Sequence, residues 1–374
     1  MPGGDSPYVG LMKLETFQQS VRLALNYAKR NAPFNLEILF HGGEPLLWGI
    51  ENYRKALEYI SKLADGLKDG VRIRIKLQTN GTLLNDDLAS LFGKHNVYVG
   101  ISLDGPKEIH DKLRVYSNNK GSYDDVMRAV RLLRKHQRHI GAIMVVTKYH
   151  LGKEHELYNF FKENGLGLQP SPLIMWGRAK IFSDLYITPQ EYLKFMRTLL
   201  DIWIKDEDPI DIPIFMKAVQ AIVLEKPVSY CHMSIGCAKT RHFLAIDWDG
   251  TVSLCNRTAS LHVPDFMFGN IRDVNDLEEI FTHPNFAKLV KRAETLRSTR
   301  CNSCPLYKKG LCGGGGGCPF LAYINGNLDA VPPSCEYEKQ LIEMVIPYVL
   351  PYKKEAKNLL ERWLENEGEK DSYL

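Results

Sequence analysis

The chain has 374 residues, 44% hydrophobic and 25% charged, with 48 basic against 44 acidic side chains and a formal net charge of +4. That composition suits one large α/β domain with a smaller second one and excludes disordered and fibrous classes. The slight basic excess is no footprint for nucleic acid. No run reaches the roughly 18 uncharged apolar residues of a membrane span, and the opening residues lack the basic-then-apolar order of a secretory leader. The sequence reads as cytoplasmic, in a reducing environment, with neither nucleic acid nor membrane as partner.

Strand-like runs at residues 36–40, 71–77, 97–103, 142–146 and 167–174 alternate with helix-period segments at 14–30, 52–67, 85–94, 123–136 and 153–164. Strand, helix, strand at this spacing predicts a parallel sheet with right-handed crossovers. The run VYVGISL is almost continuously apolar, the pattern of a strand covered on both faces, whereas VRIRIKL alternates and reads as nearer an edge. The period leaves open whether the sheet is flat or curved into a barrel. Thr188 and Pro189 open a further helix as N-cap and first-turn proline, and another is read over 214–224. Past about residue 225 the pattern changes. A hairpin is predicted from strands 242–247 and 251–254 about Trp248, Asp249 and Gly250, and residues 336–367 read as a helix, strongly charged beyond Tyr352. The resulting division is 1–225, a cysteine-rich region at 226–345, and a charged helical tail at 346–374.

Three of the strands run into polar, glycine-bearing elbows. The first holds His41, Gly42, Gly43, Glu44 and Pro45; the second Gln78, Thr79, Asn80 and Gly81; the third Ser102, Leu103, Asp104, Gly105 and Pro106, with His110, Asp111 and Arg114 soon after. Glycine lets a backbone turn tightly and approach a ligand, and the C-terminal ends of parallel strands are where α/β folds bind one. One such elbow is equally well a plain turn. Three at the same sheet edge predict a ligand site. Neither G-x-G-x-x-G nor G-x-x-x-x-G-K-[ST] occurs, so dinucleotide and P-loop readings lack support.

All eight cysteines fall late: Cys231, Cys237, Cys255, Cys301, Cys304, Cys312, Cys318 and Cys335. In a large chain with no leader this usage points to metal or redox chemistry rather than to disulfides. A C-x2-C pair such as Cys301 and Cys304 is a local chelate, and eight thiolates make two four-thiolate sets, for two iron–sulfur clusters or two zinc ions. Spacing alone does not choose between them. No histidine stands at ligand spacing within the set, and His232 reads as a loop residue. The glycine run at 313–317 is either a flexible linker or a backbone that wraps a bulky cofactor and points amides at its sulfurs. Arg241, Arg300, Lys308 and Lys309 either offset the charge of a thiolate-ligated cluster or are ordinary surface cations.

HGGEPLL, LQTNGTLL and SLDGPKEIHDKLR, each after a strand, resemble motifs of the radical S-adenosylmethionine (SAM) enzymes. The late cysteines resemble the twin-cluster SPASM extension of the anaerobic sulfatase maturases and peptide maturases. The resemblance implies an α/β fold, a partial (β/α)6 barrel lacking its first strand, followed by a SPASM domain with a hairpin and flanking helices. It implies that Gly42, Gly43 and Glu44 hold the amino group of SAM, that Ser102 and Arg114 contact its carboxylate and ribose region, and that Thr79, Asn80 and Asp104 complete the cofactor site. By order, Cys231, Cys237, Cys255 and Cys318 would ligate a first auxiliary [4Fe-4S] cluster, and Cys301, Cys304, Cys312 and Cys335 a second. The implied activity is oxidation or crosslinking of a side chain in a peptide or protein substrate, with an electron donor such as ferredoxin or flavodoxin as partner. The alternative is a non-catalytic electron-transfer or zinc protein derived from the same family.

The sequence departs from the family pattern in three places. The last cysteines are spaced x2, x7 and x5, so their loops are enlarged. Asn256 follows Cys255 where the sulfatase maturases carry an aspartate, a proposed proton acceptor, which argues against formylglycine formation. The C-x3-C-x2-C loop that binds the SAM-cleaving cluster is not among the 374 residues. The expectation is that the polypeptide as given cannot cleave SAM alone, and that a longer form holds this third cluster.

Overall fold

A computed structural model describes residues 10–65, 67, 70–137, 139–227, 241, 243–259 and 263–352. Cys231, Cys237, His232 and the charged tail beyond Tyr352 lie outside the described residues. Strands β1 (Phe34–Phe40), β2 (Val71–Thr79), β3 (Val97–Ser102), β4 (Ile140–Val146) and β5 (Leu166–Pro172) form one curled parallel sheet in the order β1-β2-β3-β4-β5. Between and around them run α1 (Leu14–Arg30), α2 (Ile50–Ala64), α3 (Asp86–Lys94), α4 (Lys107–Leu113), α5 (Tyr123–Arg134), α6 (Glu154–Glu163), α7 (Pro189–Trp203) and α8 (Pro213–Leu224). The parallel α/β sheet is the one that the alternation of strand and helix predicts, and its curling into a half-barrel is what the family resemblance implies.

β2 lies nearer an edge than the central β3, as its pattern reads. β2, the VRIRIKL run, is internal: Phe34 to Phe40 pair with Val71 to Leu77, and Ile75 to Thr79 pair with Val97 to Ile101. Its alternation comes from a polar sheet face, where Lys76 Nζ meets Glu37 Oε2 of β1 at 2.5 Å. β3 differs from its pattern of a strand covered on both faces: Val97, Val99 and Ile101 are buried, while Tyr98, Gly100 and Ser102 between them are half-covered.

The remaining elements are short. A three-stranded antiparallel sheet, β6 (Ala245–Ile246), β7 (Thr251–Ser253) and β8 (Met267–Asn270), contains the predicted hairpin and adds a strand the pattern did not show. Gly250 closes the turn at φ +87°, donating its N–H to the Asp247 carbonyl at 2.9 Å. Then follow α9 (Asn256–Ala259), α10 (Leu277–Phe281), α11 (Pro284–Thr299), α12 (Pro305–Lys308), α13 (Pro319–Ile324) and α14 (Ser334–Val349). Thr188 caps α7 as expected, in a capping box: its hydroxyl accepts from Glu191 N at 3.2 Å while Glu191 Oε2 accepts from Thr188 N at 2.7 Å.

The chain forms two compact units, one from Met1–Leu103, His110–Ala142 and Phe243–Lys288, the other from Asp104–Ile109, Ile143–His242 and Leu289–Leu374. In the first, Phe17, Phe40, Trp48, Tyr53 and Phe92 form a chain of ring contacts with centroids 5.1 to 5.9 Å apart. Rings at these distances add about 0.5–1.5 kcal/mol per pair beyond their burial. The cluster lies under the first elbow and fixes the single 3-10 turn Pro45–Trp48 that leaves it. In the second unit α14 packs on α7 and α8.

Candidate functional site

The strand registers bring the first three elbows to one edge, and side chains then lace them together. Glu44 is the tie. Its Oε1 accepts from Thr79 Oγ1 at 2.6 Å and from Leu46 N at 3.0 Å, and its Oε2 accepts from Asn80 N at 2.9 Å. Of the four or so lone-pair directions a carboxylate offers, three are taken by the protein, which leaves room for one more donor. Thr79 is buried and passes the link on, accepting from Gly81 N at 3.0 Å.

A second lace joins β2 to β3. Gln78 Nε2 donates to Ser102 Oγ at 3.2 Å. Its register partner is Gly100, and a methyl group there would meet Gln78 Oε1 at 2.2 Å, so the glycine makes room for the side chain to lie across the strand.

Below the first elbow, Tyr53 OH donates to the Pro45 carbonyl at 2.8 Å and Trp48 Nε1 to the Met12 carbonyl at 2.7 Å. Gly42 and Gly43 themselves are exposed, Gly42 at φ +105°. Gly42 donates its N–H to His41 Nδ1 at 2.8 Å. That fixes the proton of a neutral ring on Nε2, which lies 3.4 Å from the Asn256 amide. Packing around the ring lowers the His41 pKa although part of the residue faces solvent.

Arg114 and Asp104 occupy different settings. Arg114 ends the turn after α4, half-buried, its carbonyl accepting from Ser122 N at 3.2 Å and Ser122 Oγ at 3.1 Å. Asp104, in the second unit, is 2% exposed, and its Oδ1 accepts from Val145 N at 2.8 Å. His150 is equally buried; Thr147 N donates to its Nδ1, so Nε2–H donates to the Asp104 carbonyl at 2.9 Å, and burial lowers its pKa. Asp104 thus braces the third elbow from within.

The six described cysteines, Cys255, Cys301, Cys304, Cys312, Cys318 and Cys335, are all half-buried. Cys255 lies in the first unit, held by Thr258, whose hydroxyl accepts from Cys255 N at 3.0 Å. The other five lie in the second. Cys304 and Cys318 directly precede α12 and α13, and Cys335 stands in the first turn of α14. Among these, Cys301, Cys304, Cys312 and Cys335 act on one another. Burial pushes the Cys335 thiol up to about 12, helped by the charges of Glu338, Cys312, Cys301 and Cys304. Cys312 is raised by burial and the same neighbours, while the Gly314 N–H, 3.4 Å from its sulfur, works the other way. Among the described residues no three His, Cys, Asp or Glu side chains close around a single ion. The four thiols nevertheless fit an iron–sulfur cluster by donor chemistry: soft sulfurs within electrostatic reach of one another, whose thiolate forms a cation would stabilise together.

Arg300, Lys308 and Lys309, the cations singled out by their place in the sequence, are exposed. The buried cation is one the sequence reading passed over, Arg292 of α11, only 5% exposed. Its signal was present: Arg292 continues the stripe of Phe286, Leu289, Ala293 and Leu296, all buried.

Comparison with known proteins follows the same two regions. Residues 7–161 match the radical SAM superfamily and residues 237–305 match SPASM, an iron-sulfur cluster-binding domain. A cysteine-type anaerobic sulfatase-maturating enzyme of Clostridium novyi is 30% identical over 80% of this chain and 77% of its own length. A serine-type one of Bacteroides thetaiotaomicron is 28% identical over 86% and 79%. Among solved structures, native anSMEcpe with bound AdoMet and Kp18Cys peptide superposes with a TM-score of 0.74 at 27% identity, covering 93% of this chain and 92% of that one.

Proposed function

The chain belongs to the radical SAM superfamily, in the SPASM-containing branch with the anaerobic sulfatase-maturating enzymes, and we propose that it is a maturase that oxidises or crosslinks a side chain of a peptide or protein. The observation that carries this reading is the laced sheet edge, in which Glu44 spends three acceptor positions on Leu46, Thr79 and Asn80 and keeps one for a ligand.

In this reading the exposed backbone of Gly42 and Gly43 and the remaining lone pair of Glu44 hold the amino group of SAM. Ser102, fixed by Gln78, and Arg114 hold its carboxylate and ribose region. Thr79, Asn80 and Asp104 position these groups. Cys301, Cys304, Cys312 and Cys335 hold one auxiliary [4Fe-4S] cluster; Cys231, Cys237, Cys255 and Cys318 hold the other. In a longer form that also holds the SAM-cleaving cluster, bound SAM would supply a carbon radical that takes a hydrogen atom from the substrate, and the auxiliary clusters would supply a sink for the electron the substrate then loses. The electron that starts the reaction comes from a small donor such as ferredoxin or flavodoxin.

Asn256 narrows the outcome. A carboxamide takes up no proton, so the base that completes oxidation to formylglycine in the sulfatase maturases has no counterpart at this position. The substrate is accordingly a peptide side chain whose loss of hydrogen is completed without a carboxylate after Cys255.

The test uses protein from the whole reading frame, reconstituted with iron and sulfide without oxygen. SAM binding by calorimetry should be lost in Gly42→Val and weakened in Arg114→Ala. Incubation with reductant and a short peptide encoded beside the gene should yield 5′-deoxyadenosine and a product lacking a hydrogen pair, whereas peptides of the cysteine and serine sulfatase type should yield no formylglycine. Wild-type protein that binds neither iron nor SAM would refute the reading.

A further inference from the structure

Arg292 is the one buried arginine among the described residues, and backbone carbonyls from several residues accept from it. Its Nε donates to the Leu328 carbonyl, and Nη2 donates to the carbonyls of Ala330 at 2.7 Å and Gly316 at 3.2 Å. Nη1 reaches the carbonyls of Gly315 and Gly317 at 3.5 Å each. These acceptors come from two loops, 23 to 38 residues further along the chain. A buried guanidinium is costly unless its planar fork of donors is met. Here the two loops meet it.

Both loops carry thiols. The glycine run joins Cys312 to Cys318, and the 328–330 segment leads through Pro332 and Pro333 to Cys335. Gly314, Gly315, Gly316 and Gly317 all have positive φ, from +69° to +102°, so no other residue would hold this path without strain. Contacts are close throughout. A methyl on Gly316 would meet Leu296 of α11 at 2.3 Å, one on Gly314 would meet Cys301 Cβ at 3.3 Å, and one on Gly317 would meet Cys335 Cβ at 3.5 Å. A shift of the glycine run therefore shifts the sulfurs. Because a trans peptide sets N–H opposite C=O, carbonyls turned towards Arg292 leave the N–H groups of Gly316, Gly317 and Cys318 pointing away from it.

We propose that Arg292 is a positioning residue for the second thiol set: by gathering carbonyls from the glycine run and from the 328–330 segment, it holds Cys301, Cys312 and Cys335 in place before any cluster is bound. This rests on the assignment of Cys301, Cys304, Cys312 and Cys335 as cluster ligands. The guanidinium also places a fixed positive charge behind the loop, which favours the reduced, more negative form of a cluster held on its other side.

Arg292→Gln and Arg292→Lys, made in the whole protein, test it. In the metal-free protein, amide exchange at 313–318 and 328–335 should quicken at least about tenfold in Arg292→Gln, since bonds to a charged donor are lost, with β1 to β3 unchanged. After anaerobic reconstitution Arg292→Gln should hold about four fewer iron atoms per chain. Arg292→Lys, which keeps the charge with fewer donors, should regain part of that iron. Its cluster potential should stay nearer the wild type than that of any loaded Arg292→Gln, which should fall. Wild-type exchange in Arg292→Gln overturns the proposal, and so does faster exchange with full iron content. Should Arg292→Gln not fold, Arg292→Lys decides by the same exchange measurement. A Cys312→Ala, Cys335→Ala double variant that keeps all its iron refutes the ligand assignment instead, and the exchange measurement on metal-free protein separates the two failures.

Discussion

Glu44→Gln separates two roles of one carboxylate. If Glu44 served only to meet a ligand, the substitution would leave the ligand-free protein as stable as before. The geometry says otherwise. The amide keeps one oxygen, which can still accept from Thr79 Oγ1 and Leu46 N, but its NH2 then faces the Asn80 N–H that Oε2 accepts at 2.9 Å. Donor against donor loses that bond, and the two that remain change from charge-assisted to neutral, about half as strong. A lost hydrogen bond to a charged group is worth about 1.5–3 kcal/mol; since Glu44 is half-exposed, water recovers part of it, and a loss of about 2 kcal/mol is expected. Urea unfolding of metal-free protein without SAM reads it as a lower midpoint at unchanged slope. Thr79→Val should cost about 1 kcal/mol by itself and less in the Glu44→Gln background, because the two side chains share a bond. A change below about 0.5 kcal/mol in Glu44→Gln, a value typical of an uninvolved surface site, would refute the lacing argument.

Three further outcomes are expected. Tyr53→Phe removes the donor to the Pro45 carbonyl from a ring that burial and Glu44 keep protonated, and should lower stability by about 1 kcal/mol in urea. Asp206 accepts from Tyr158 OH at 2.7 Å and meets Lys162 Nζ at 2.5 Å, which hold its carboxyl below the ordinary 3.8. The advantage of wild type over Asp206→Asn should be about 1 kcal/mol, Lys162 being partly exposed. It should be fully present above pH 3.8 and vanish as the pH falls through the lower native value, as acid titration of both proteins by circular dichroism will show. Cys304→Ala should lower iron by about four atoms per chain after reconstitution, while a full complement would remove Cys304 from the ligand set.

The alternation of strand and helix was legible because the apolar periods of 2 and 3.6 are set by the faces each element buries. α1 runs over the predicted residues, and Thr188 caps α7 as its sequence foretells. β2 reads as nearer an edge than β3 and lies so, one place in from β1, its alternation coming from a polar sheet face on which Lys76 meets Glu37. β8 is four residues long and carries too little pattern to be seen. The elbows were legible as polar and glycine-rich. That Glu44 faces Thr79 and Asn80 was not, because it depends on strand register, which pairs residues some 35 apart. Arg292 was hidden by its residue type: an arginine is read as surface, and its burial rests on carbonyls that carry no sequence signal of their own.

The elbows and the thiol loops solve one problem in two ways. A ligand site needs backbone groups free for the ligand and yet fixed in space. At the sheet edge the fixing is done by acceptors: the Glu44 carboxylate collects two backbone N–H groups and a hydroxyl, while Gly42 and Gly43 stay exposed. In the thiol region it is done by a donor, since Arg292 collects carbonyls and leaves N–H groups. The sign matches what each place is asked to hold. On the proposed reading a cationic amino group would be met by carboxylate oxygen, and electron-rich sulfur by N–H. Exchanging the two charges, with arginine at 44 or glutamate at 292, would therefore fail even where the side chain could be accommodated, because each would present the backbone with the wrong half of its hydrogen bonds.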